Sequence, residues 1–229
     1  MRGEISTARP SLRHPYDWCV DESWVGWQLF RALGEFRQER EAGEAIWDPS
    51  IGSGRTMATF VDAGFRVFGS DIVNRIDPDQ FDGVLPELFS ADFRECEQAP
   101  APCSIVGNPP YSYIPRIAEA FVRKALTLAT RRVCMVLPLK WQASQERYPL
   151  FAEDFPPQAI LVLTQRPSMP PGDRIPALEA AGRAFKGATV DYGWYIWNVR
   201  EPTLPQQTRI VWLPTLAEPE KLLPIEGIA

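Results

Sequence analysis

The tetrapeptide Asn108-Pro109-Pro110-Tyr111 combines residue types that suit one particular kind of chemistry. Two consecutive prolines fix the backbone and remove two N–H donors, so the polar groups that remain are acceptors: the Pro109 carbonyl and the Asn108 side-chain oxygen. Two acceptors can hold the hydrogens of a planar group with an exocyclic –NH₂, while the ring of Tyr111 stacks on its face. The nitrogen lone pair then becomes available to attack a methyl sulfonium, which requires orientation rather than a base. A rigid turn without a ligand is the alternative interpretation.

A glycine-rich turn, Asp48–Gly54 (DPSIGSG), follows a short apolar run and precedes a helical pattern. Such a turn brings its backbone close to a ligand beside the positive end of a helix. Asp71 ends the next apolar run, where a carboxylate meets the ribose hydroxyls of a nucleotide-type cofactor in doubly wound folds. Met57 occupies the third glycine position of a dinucleotide fingerprint, and no Lys-Ser/Thr pair follows Gly54 as in a phosphate loop. An acidic residue before the turn suits a ligand with an amino group, so S-adenosylmethionine fits best; a turn without a ligand is the alternative.

Composition and charge narrow the chemistry further. The 229 residues include one histidine, His14, which excludes zinc sites that need two histidines and argues against a Ser–His–Asp triad. The net charge of −5 argues, as an average, against a polyanionic partner. The charge is uneven, however: residues 77–97 contain seven acids and one base, whereas residues 113–147 contain seven bases and two acids. The basic segment 113–147 therefore either presents a positive surface to a polyanion such as DNA or turns its charges to solvent, with a protein substrate as the alternative partner.

Short apolar runs alternate with helical-period segments, as in an α/β domain with a mostly parallel sheet. Seven strands are expected, with 210–213 as a candidate edge strand: 45–49, 66–72, 84–90, 104–107, 132–137, 159–163 and 194–199. Helices are expected at 22–37, 54–63, 115–129 and 141–151, and a long loop at 164–191. Both motifs follow predicted strands, so they should meet at the sheet edge where open α/β folds bind ligands.

Lys140 and Trp141 follow the predicted strand 132–137, at the same edge of the sheet. Contact with the substrate and simple packing of the loop are equal alternatives for this pair. The loop 164–191 is rich in Gly, Pro and Arg, and unstructured loops of this length are often functional. We therefore include Arg166 among the candidate substrate contacts.

Localisation is expected to be cytoplasmic. The N-terminus lacks the apolar core of a secretory signal, and no apolar run approaches the ~20 residues that span a bilayer. The four cysteines form no C-x-x-C pair and are interpreted as free thiols in a reducing compartment.

Taken in order, these motifs resemble those of class I S-adenosylmethionine-dependent methyltransferases of the amino-methylating type, chiefly DNA adenine-N6 methyltransferases. The resemblance covers five segments: His14–Trp18, Trp47–Gly54, Gly69–Ile72, Ala91–Phe93 and Asn108–Tyr111. Segments 108–112, 166–169 and 192–197 are also similar to compact phage and prophage enzymes. No separate target-recognition domain is visible, and Gly107 before the tetrapeptide departs from the family pattern.

The resemblance implies a Rossmann-like class I methyltransferase fold: a seven-stranded, mostly parallel sheet with helices on both faces and an antiparallel late strand. It implies one domain over 1–229, in which 1–40 covers the cofactor and 164–191 faces the substrate. The implied cofactor contacts are Tyr16, Trp18, Asp48, Pro49, Ser50, Gly52, Gly54, Asp71, Ile72, Asp92, Phe93 and Asn108. The implied catalytic residues are Asn108, Pro109, Pro110 and Tyr111, with Tyr111, Lys140, Trp141 and Arg166 on the substrate side and no metal.

Three functions remain open at this point. The first is methylation of adenine N6 in DNA, on a base flipped into a pocket floored by Asn108–Tyr111. The second keeps the chemistry but acts on a protein glutamine or on RNA adenine, as the acidic composition would suit. The third is a cofactor-binding module without catalysis. The oligomeric state is left open.

Overall fold

The computed structural model describes residues 18–111 and 114–229, and their strands form one mixed sheet of eight. The strands, in chain order, are β1 Ala45–Asp48, β2 Val67–Asp71, β3 Glu87–Ser90, β4 Cys103–Gly107, β5 Arg132–Pro138, β6 Ala159–Leu163, β7 Tyr192–Asn198 and β8 Arg209–Leu213. Their order across the sheet is β3-β2-β1-β4-β5-β7-β6-β8. The prediction of a mostly parallel sheet is confirmed.

The predicted count of seven strands is wrong, because the segment expected only as a candidate edge pairs fully. β8 runs parallel to β6 over five residue pairs, from Ala159 with Arg209 to Leu163 with Leu213. The antiparallel late strand is confirmed: β7 pairs antiparallel with β5 on one side and with β6 on the other. β7 is buried over nearly its whole length, as expected for a strand inside a sheet.

The helices within the described residues are α1 Ser23–Ala32, α2 Arg37–Ala42, α3 Arg55–Asp62, α4 Ile117–Leu128 and α5 Ile175–Ala180. The single helix expected over 22–37 is broken at Gly34–Phe36, where three successive residues have positive φ. A left-handed turn of this kind cannot continue an α-helix. Phe36 is nevertheless fully buried and packs edge-on against Phe60, which anchors the turn.

The helices cover both faces of the sheet. Alternate residues of β1 point to opposite faces: Ile46 joins the core formed with α1 and α3, and Trp47 joins the core formed with α4. α1 and α3 approach closely because Gly26 has no side chain; a Cβ there would lie 2.6 Å from the carbonyl oxygen of Thr56. The N-terminal part of α1 is thereby held beside the start of α3.

Two segments differ from the expected local structure. The helix expected over 141–151 is replaced by short 3₁₀ turns at Leu139–Gln142 and Gln145–Arg147 and one π turn at Leu150–Asp154. Residues 142–147 are mostly polar and Pro149 interrupts the segment, so it offers no continuous apolar face to pack as a helix. Within the expected loop 164–191, the structure forms α5.

In the described ranges, no helix combines the length and apolar character that membrane crossing requires.

Candidate functional site

A cleft that is open to solvent lies at the carboxyl ends of β1, β2 and β4. β2 and β4 lie on opposite sides of β1, so the connections diverge here, and open α/β sheets bind ligands at such a point. The cleft brings together most of the residues singled out from the sequence: Trp18, Pro49, Ser50, Gly52, Asp71, Ile72, Asp92, Phe93 and Asn108–Tyr111. The glycine turn and the Asn-Pro-Pro-Tyr segment therefore face one space.

The glycine turn is held to the tetrapeptide by the residues behind the cleft wall. Asp48 is only 2% exposed and accepts a hydrogen bond from the Ser50 backbone N–H at 2.9 Å. The Ser50 hydroxyl donates in turn to the backbone carbonyl of Asn108 at 3.0 Å. Burial raises the pKa of Asp48 well above its ordinary value. Gly54, in the left-handed region at φ +90°, packs against Phe81 behind the turn.

Gly107 is explained by the Asp48 carboxyl group. A Cβ at position 107 would lie 2.5 Å from Asp48 Oδ1 and 3.0 Å from its Cγ. The missing side chain therefore leaves the space in which the Asp48 carboxyl packs against the end of β4. The departure from the family pattern at Gly107 thus has a local steric cause.

Asp71 projects into the cleft at the end of β2. Its carboxylate accepts backbone hydrogen bonds from Gly52 at 3.1 Å and from Val73 at 3.2 Å, and it lies 3.5 Å from the Arg75 guanidinium. Partial burial nevertheless raises the pKa of this carboxyl. Gly52, at φ +51°, tightens the turn so that its N–H reaches Asp71. A ribose with vicinal hydroxyls fits a carboxylate held in this way.

Asp92 and Phe93 line the far side of the cleft with different roles. Hydrogen bonds from Arg94 hold the pKa of Asp92 below its usual range, so this carboxylate is charged. Phe93 is 1% exposed and packs edge-on against Trp47. Phe93 is therefore mainly a core residue, and its ring also forms part of the cleft wall.

The tetrapeptide follows β4, and Tyr111 is turned inward. Its hydroxyl makes a close hydrogen bond to Asn108 Oδ1 and lies 3.0 Å from the backbone carbonyl oxygen of Val136. Burial raises the pKa of Tyr111 well above its ordinary value, so the phenol is neutral. The amide nitrogen of Asn108 lies 3.6 Å from the sulfur of Met169, in the loop 164–191.

The N-terminal segment, which lines the cleft with Trp18 and Cys19, pairs with the loop 164–191. Val20 donates its backbone N–H to the Pro170 carbonyl at 3.0 Å, and Gly172 donates to the Trp18 carbonyl at 2.9 Å. The Trp18 indole packs directly on Gly172, where a Cβ would lie 2.1 Å from the ring. Tyr16 and His14, both part of the resembling segment, lie outside the described residues.

The three remaining substrate candidates lie away from the cleft. Lys140 is exposed on the turn after β5. Trp141 packs edge-on against Phe151, with the Arg147 guanidinium 4.9 Å from its ring centroid. Arg166 pairs with Asp191 at 2.5 Å on the surface.

Two residues not singled out from the sequence line the cleft, Cys19 and Arg75. Met169, which the sequence placed only in the segment 166–169, contacts the Asn108 amide nitrogen. Arg75 stands four residues after Asp71, and its guanidinium lies 5.2 Å from the Trp18 ring centroid. The i, i+4 spacing from Asp71 was a signal that could have found Arg75. Cys19 carries no such signal, and only the folded chain brings Met169 to Asn108. Asp21, buried just before α1, accepts a close hydrogen bond from the Thr56 hydroxyl of α3.

Internal ion pairs neutralise much of the positive charge of the basic segment 113–147. Arg132 pairs with Glu39 in the core, Arg131 pairs with Glu44, and Arg116 approaches Glu146. Arg123 pairs with both Glu119 and Asp154. The charge available to a polyanion is therefore smaller than the net +5 counted along the sequence.

No protein-family model matches the chain, and no curated protein matches it in sequence. In fold it is similar to a Listeria monocytogenes protein described as a class I S-adenosylmethionine-dependent methyltransferase, with a TM-score of 0.58 and 10% identity. That match covers 86% of this chain and 65% of the Listeria protein, so the chain spans less than two thirds of its length. It is also similar to a Pyrococcus horikoshii protein described as an RNA methyltransferase, with a TM-score of 0.51, 15% identity and coverage of 76% and 79%. At these identities the likeness concerns the fold, and the predicted Rossmann-like class I methyltransferase fold is confirmed.

Proposed function

We propose that this protein is an S-adenosylmethionine-dependent N-methyltransferase whose acceptor is the N6 amino group of adenine in DNA. One observation carries the proposal: a single cleft at the divergence of the strand connections is lined both by Asp71 with its glycine turn and by the acceptors of Asn108-Pro109-Pro110. A cofactor bound on the first set of groups would lie beside an amine bound on the second. The choice of adenine and of DNA rests on the resemblance of the motifs.

The described residues fit the cofactor in charge and shape. Asp71 offers a carboxylate to ribose hydroxyls, and the Gly52 turn leaves room for a close backbone approach. Ile72 and Phe93 supply apolar walls for a purine ring, and Trp18 closes the cleft from the N-terminal side. When bound, the cofactor supplies a methyl group on a positively charged sulfur, which makes that methyl an acceptor of electron pairs.

The remaining chemistry is positioning by this chain. Asn108 Oδ1 and the Pro109 carbonyl each accept one hydrogen of the substrate amine, which leaves its lone pair free. An amide oxygen has two lone pairs, so Oδ1 can hold the amine beside the Tyr111 hydroxyl. The Tyr111 ring supplies the stacking surface once the side chain rotates away from Val136. No titrating base is required for this orientation, which agrees with the low histidine content.

Cofactor binding is the first test. Isothermal titration calorimetry with S-adenosylmethionine should give one site per chain. Asp71→Ala should weaken binding by about tenfold or more, because a charge-assisted hydrogen bond is lost. Asp62→Ala, an exposed carboxylate at the end of α3, is the matched control and should bind like the wild type. Absence of binding to the folded wild-type protein would refute the proposal.

The acceptor is identified in a second test. The protein is incubated with methyl-labelled S-adenosylmethionine and duplex DNA of mixed sequence, single-stranded RNA, or a protein fraction. N6-methyladenine in the DNA digest, lost in Asn108→Ala, supports the proposed substrate. Label only in RNA, or only on glutamine, would keep the reaction and replace the substrate. If no transfer to any of these acceptors is detected, the function that remains is a cofactor-binding module without catalysis.

A further inference from the structure

A second, open groove lies on the irregular turns that follow β5, and it shares no lining residue with the cleft. Its lining residues, here called the amide groove, are Gln142, Ser144, Gln145, Tyr148, Phe151 and Ala152. The segment that replaces the helix expected over 141–151 therefore forms a concave surface. Neither the fold nor the positioning of the target amine accounts for this surface.

The floor of the amide groove is well packed. Phe151 packs edge-on against Trp141, with 5.4 Å between the ring centroids, and stacks on Trp197, which is 3% exposed. The Arg147 guanidinium lies 4.9 Å from the Trp141 ring centroid, and its Nε donates a hydrogen bond to the Trp141 carbonyl. The aromatic cluster thus holds the turns in place without a ligand.

The rim of the amide groove carries an aromatic ring and two side-chain amides that have no partner. Tyr148 is 61% exposed. Within the described residues, neither its hydroxyl nor the amides of Gln142 and Gln145 form a hydrogen bond. A ring offers a face on which a nucleobase stacks, and an amide offers a donor and an acceptor side by side for the edge of a base. The groove therefore combines the two kinds of group that recognise an unpaired nucleobase.

The charge around the amide groove suits a phosphate backbone. Lys140 is exposed, and in the part of the chain that the structure describes neither Lys140 nor Arg147 forms an ion pair. Two of the three acids in this segment are already paired, with Arg116 and Arg123. Two cations therefore remain against one acid, Glu153, and cations without an acidic partner attract phosphates.

The amide groove lies within reach of the Asn-Pro-Pro-Tyr segment. The Tyr111 hydroxyl lies 3.0 Å from the backbone carbonyl oxygen of Val136 in β5, and Gln142 follows Val136 closely in the chain. The length of that connection limits the separation of Val136 and Gln142 to about 22 Å. The ion pair between Arg116 and Glu146, at 3.9 Å, also joins the turn of the groove to the segment after Tyr111. One DNA strand can therefore contact both places.

We propose that the amide groove is a subsite for an unpaired nucleobase of the DNA substrate, near the target adenine. The base stacks on Tyr148, Gln142 and Gln145 bond to its edge, and Lys140 contacts a neighbouring phosphate. The inference deepens the proposed function and rests on it for the identity of the substrate as DNA. A base that is paired in a duplex does not present its face to Tyr148, so single-stranded DNA should bind more tightly than the matched duplex.

Binding of single-stranded DNA in the absence of cofactor tests the subsite. Fluorescence anisotropy compares labelled oligo(dA) of about 12 nucleotides with an abasic oligomer of the same length, which keeps the phosphates and lacks the bases. Tyr148→Ala should weaken the binding of oligo(dA) by about fivefold to a hundredfold, the range for loss of one base–aromatic stack, and leave the abasic oligomer unaffected. Tyr148→Phe keeps the ring and should bind like the wild type.

Trp212→Ala is the matched control, because Trp212 is an aromatic residue that is 66% exposed on β8, at the edge of the sheet. It should bind oligo(dA) like the wild type. Equal affinities of the wild type and Tyr148→Ala for oligo(dA), or an equal loss with the abasic oligomer, would overturn the proposal. Tighter binding of oligo(rA) than of oligo(dA) would overturn the assignment to DNA.

Salt dependence and kinetics separate the subsite from the reaction. Lys140→Gln should reduce the slope of log affinity against log salt concentration by about one, as expected for one lost phosphate contact. In the methyl-transfer assay, Tyr148→Ala should raise KM for DNA and keep kcat within about twofold, because Tyr148 contacts no reacting atom. Methyl transfer with an unchanged KM would refute the subsite alone. Tyr148-dependent binding of oligo(dA) without any methyl transfer would refute the proposed function and leave the subsite in place.

Discussion

Tyr111 makes its specific contacts through its hydroxyl rather than through its ring. The sequence predicted a stacking ring at this position, and the structure adds hydrogen bonds to Asn108 and Val136 that hold the side chain inward. The proposed methyl transfer would use the ring as a stacking surface, whereas the hydroxyl holds the side chain inward in this structure.

Two substitutions separate these roles. Tyr111→Phe keeps the ring and frees Asn108 Oδ1 for the amine, so we expect methyl transfer at or above the wild-type rate. Tyr111→Ala removes the stacking surface and should lower kcat/KM by about tenfold to a hundredfold, since base–aromatic stacking contributes about 1–3 kcal/mol. Steady-state kinetics with the identified acceptor measure both. A Phe variant as defective as the Ala variant would assign the essential role to the hydroxyl.

Asp21 also gives a stability prediction. Its pKa is about 6 in the folded protein against 3.8 for the ordinary carboxyl, so burial favours the protonated form. This contribution to stability is complete below about pH 4 and is lost as the pH rises through 6, at a cost of roughly 3 kcal/mol. Asp21→Asn should therefore unfold in more urea than the wild type at pH 8 and match it more closely at pH 5.5. Lower stability of the variant at pH 8 would contradict this account.

The N-terminal segment and the loop 164–191 form one structural unit through the backbone bonds at Trp18, Val20, Pro170 and Gly172. The Ser168 backbone N–H adds a hydrogen bond to the Glu22 carboxylate at 2.8 Å. The sequence predicted that each segment faces the cleft, but it contained no signal that the two pair with each other. That pairing depends on a steric fit, because Gly172 leaves the space that the Trp18 indole occupies.

Filling that space should disturb the cofactor end of the cleft. Gly172→Ala would push the Trp18 ring outward, so we expect the affinity for S-adenosylmethionine to fall about tenfold with the sheet intact. Calorimetry measures the affinity, and circular dichroism monitors the fold. Ala180→Ser, on the exposed side of α5, is the matched control. Equal affinities for the wild type and Gly172→Ala would show that Trp18 does not contribute to binding.

In the whole molecule, the features predicted from sequence are those encoded locally. The strand positions and both motifs could be predicted, since apolar runs and glycine or proline positions act within a few residues. The missed features depend on distant partners: the Asp21–Thr56 hydrogen bond, the Gly172–Trp18 fit and the full pairing of β8 with β6. The basic character of 113–147 was visible in the sequence but is weaker in the folded protein, because acids elsewhere in the chain neutralise several of its bases.

The buried pair Glu39–Arg132 ties α2 to β5 across the core. Glu39 is fully buried, accepts from the Ser104 hydroxyl at 2.8 Å, and lies 3.1 Å from the Arg132 guanidinium, which itself is 1% exposed. Glu39→Gln would leave the Arg132 charge uncompensated, so we expect a loss of about 3–5 kcal/mol in the free energy of unfolding. The exposed Glu41→Gln on the same helix should cost less than about 0.5 kcal/mol. Urea titrations compare the two, and similar costs would contradict the structural role.

The joined N-terminal segment and loop 164–191 also bear on how two ligands would bind to the cleft. Trp18 lines the cleft and Met169 contacts Asn108 at its wall, so displacing either segment would strain the backbone bonds that tie them together. A ligand that fixes the position of Trp18 would thereby increase the affinity for a second ligand beside Met169. By thermodynamic linkage, the second ligand would increase the affinity for the first by the same factor. The cleft should therefore fill cooperatively, with each ligand lowering the dissociation constant of the other.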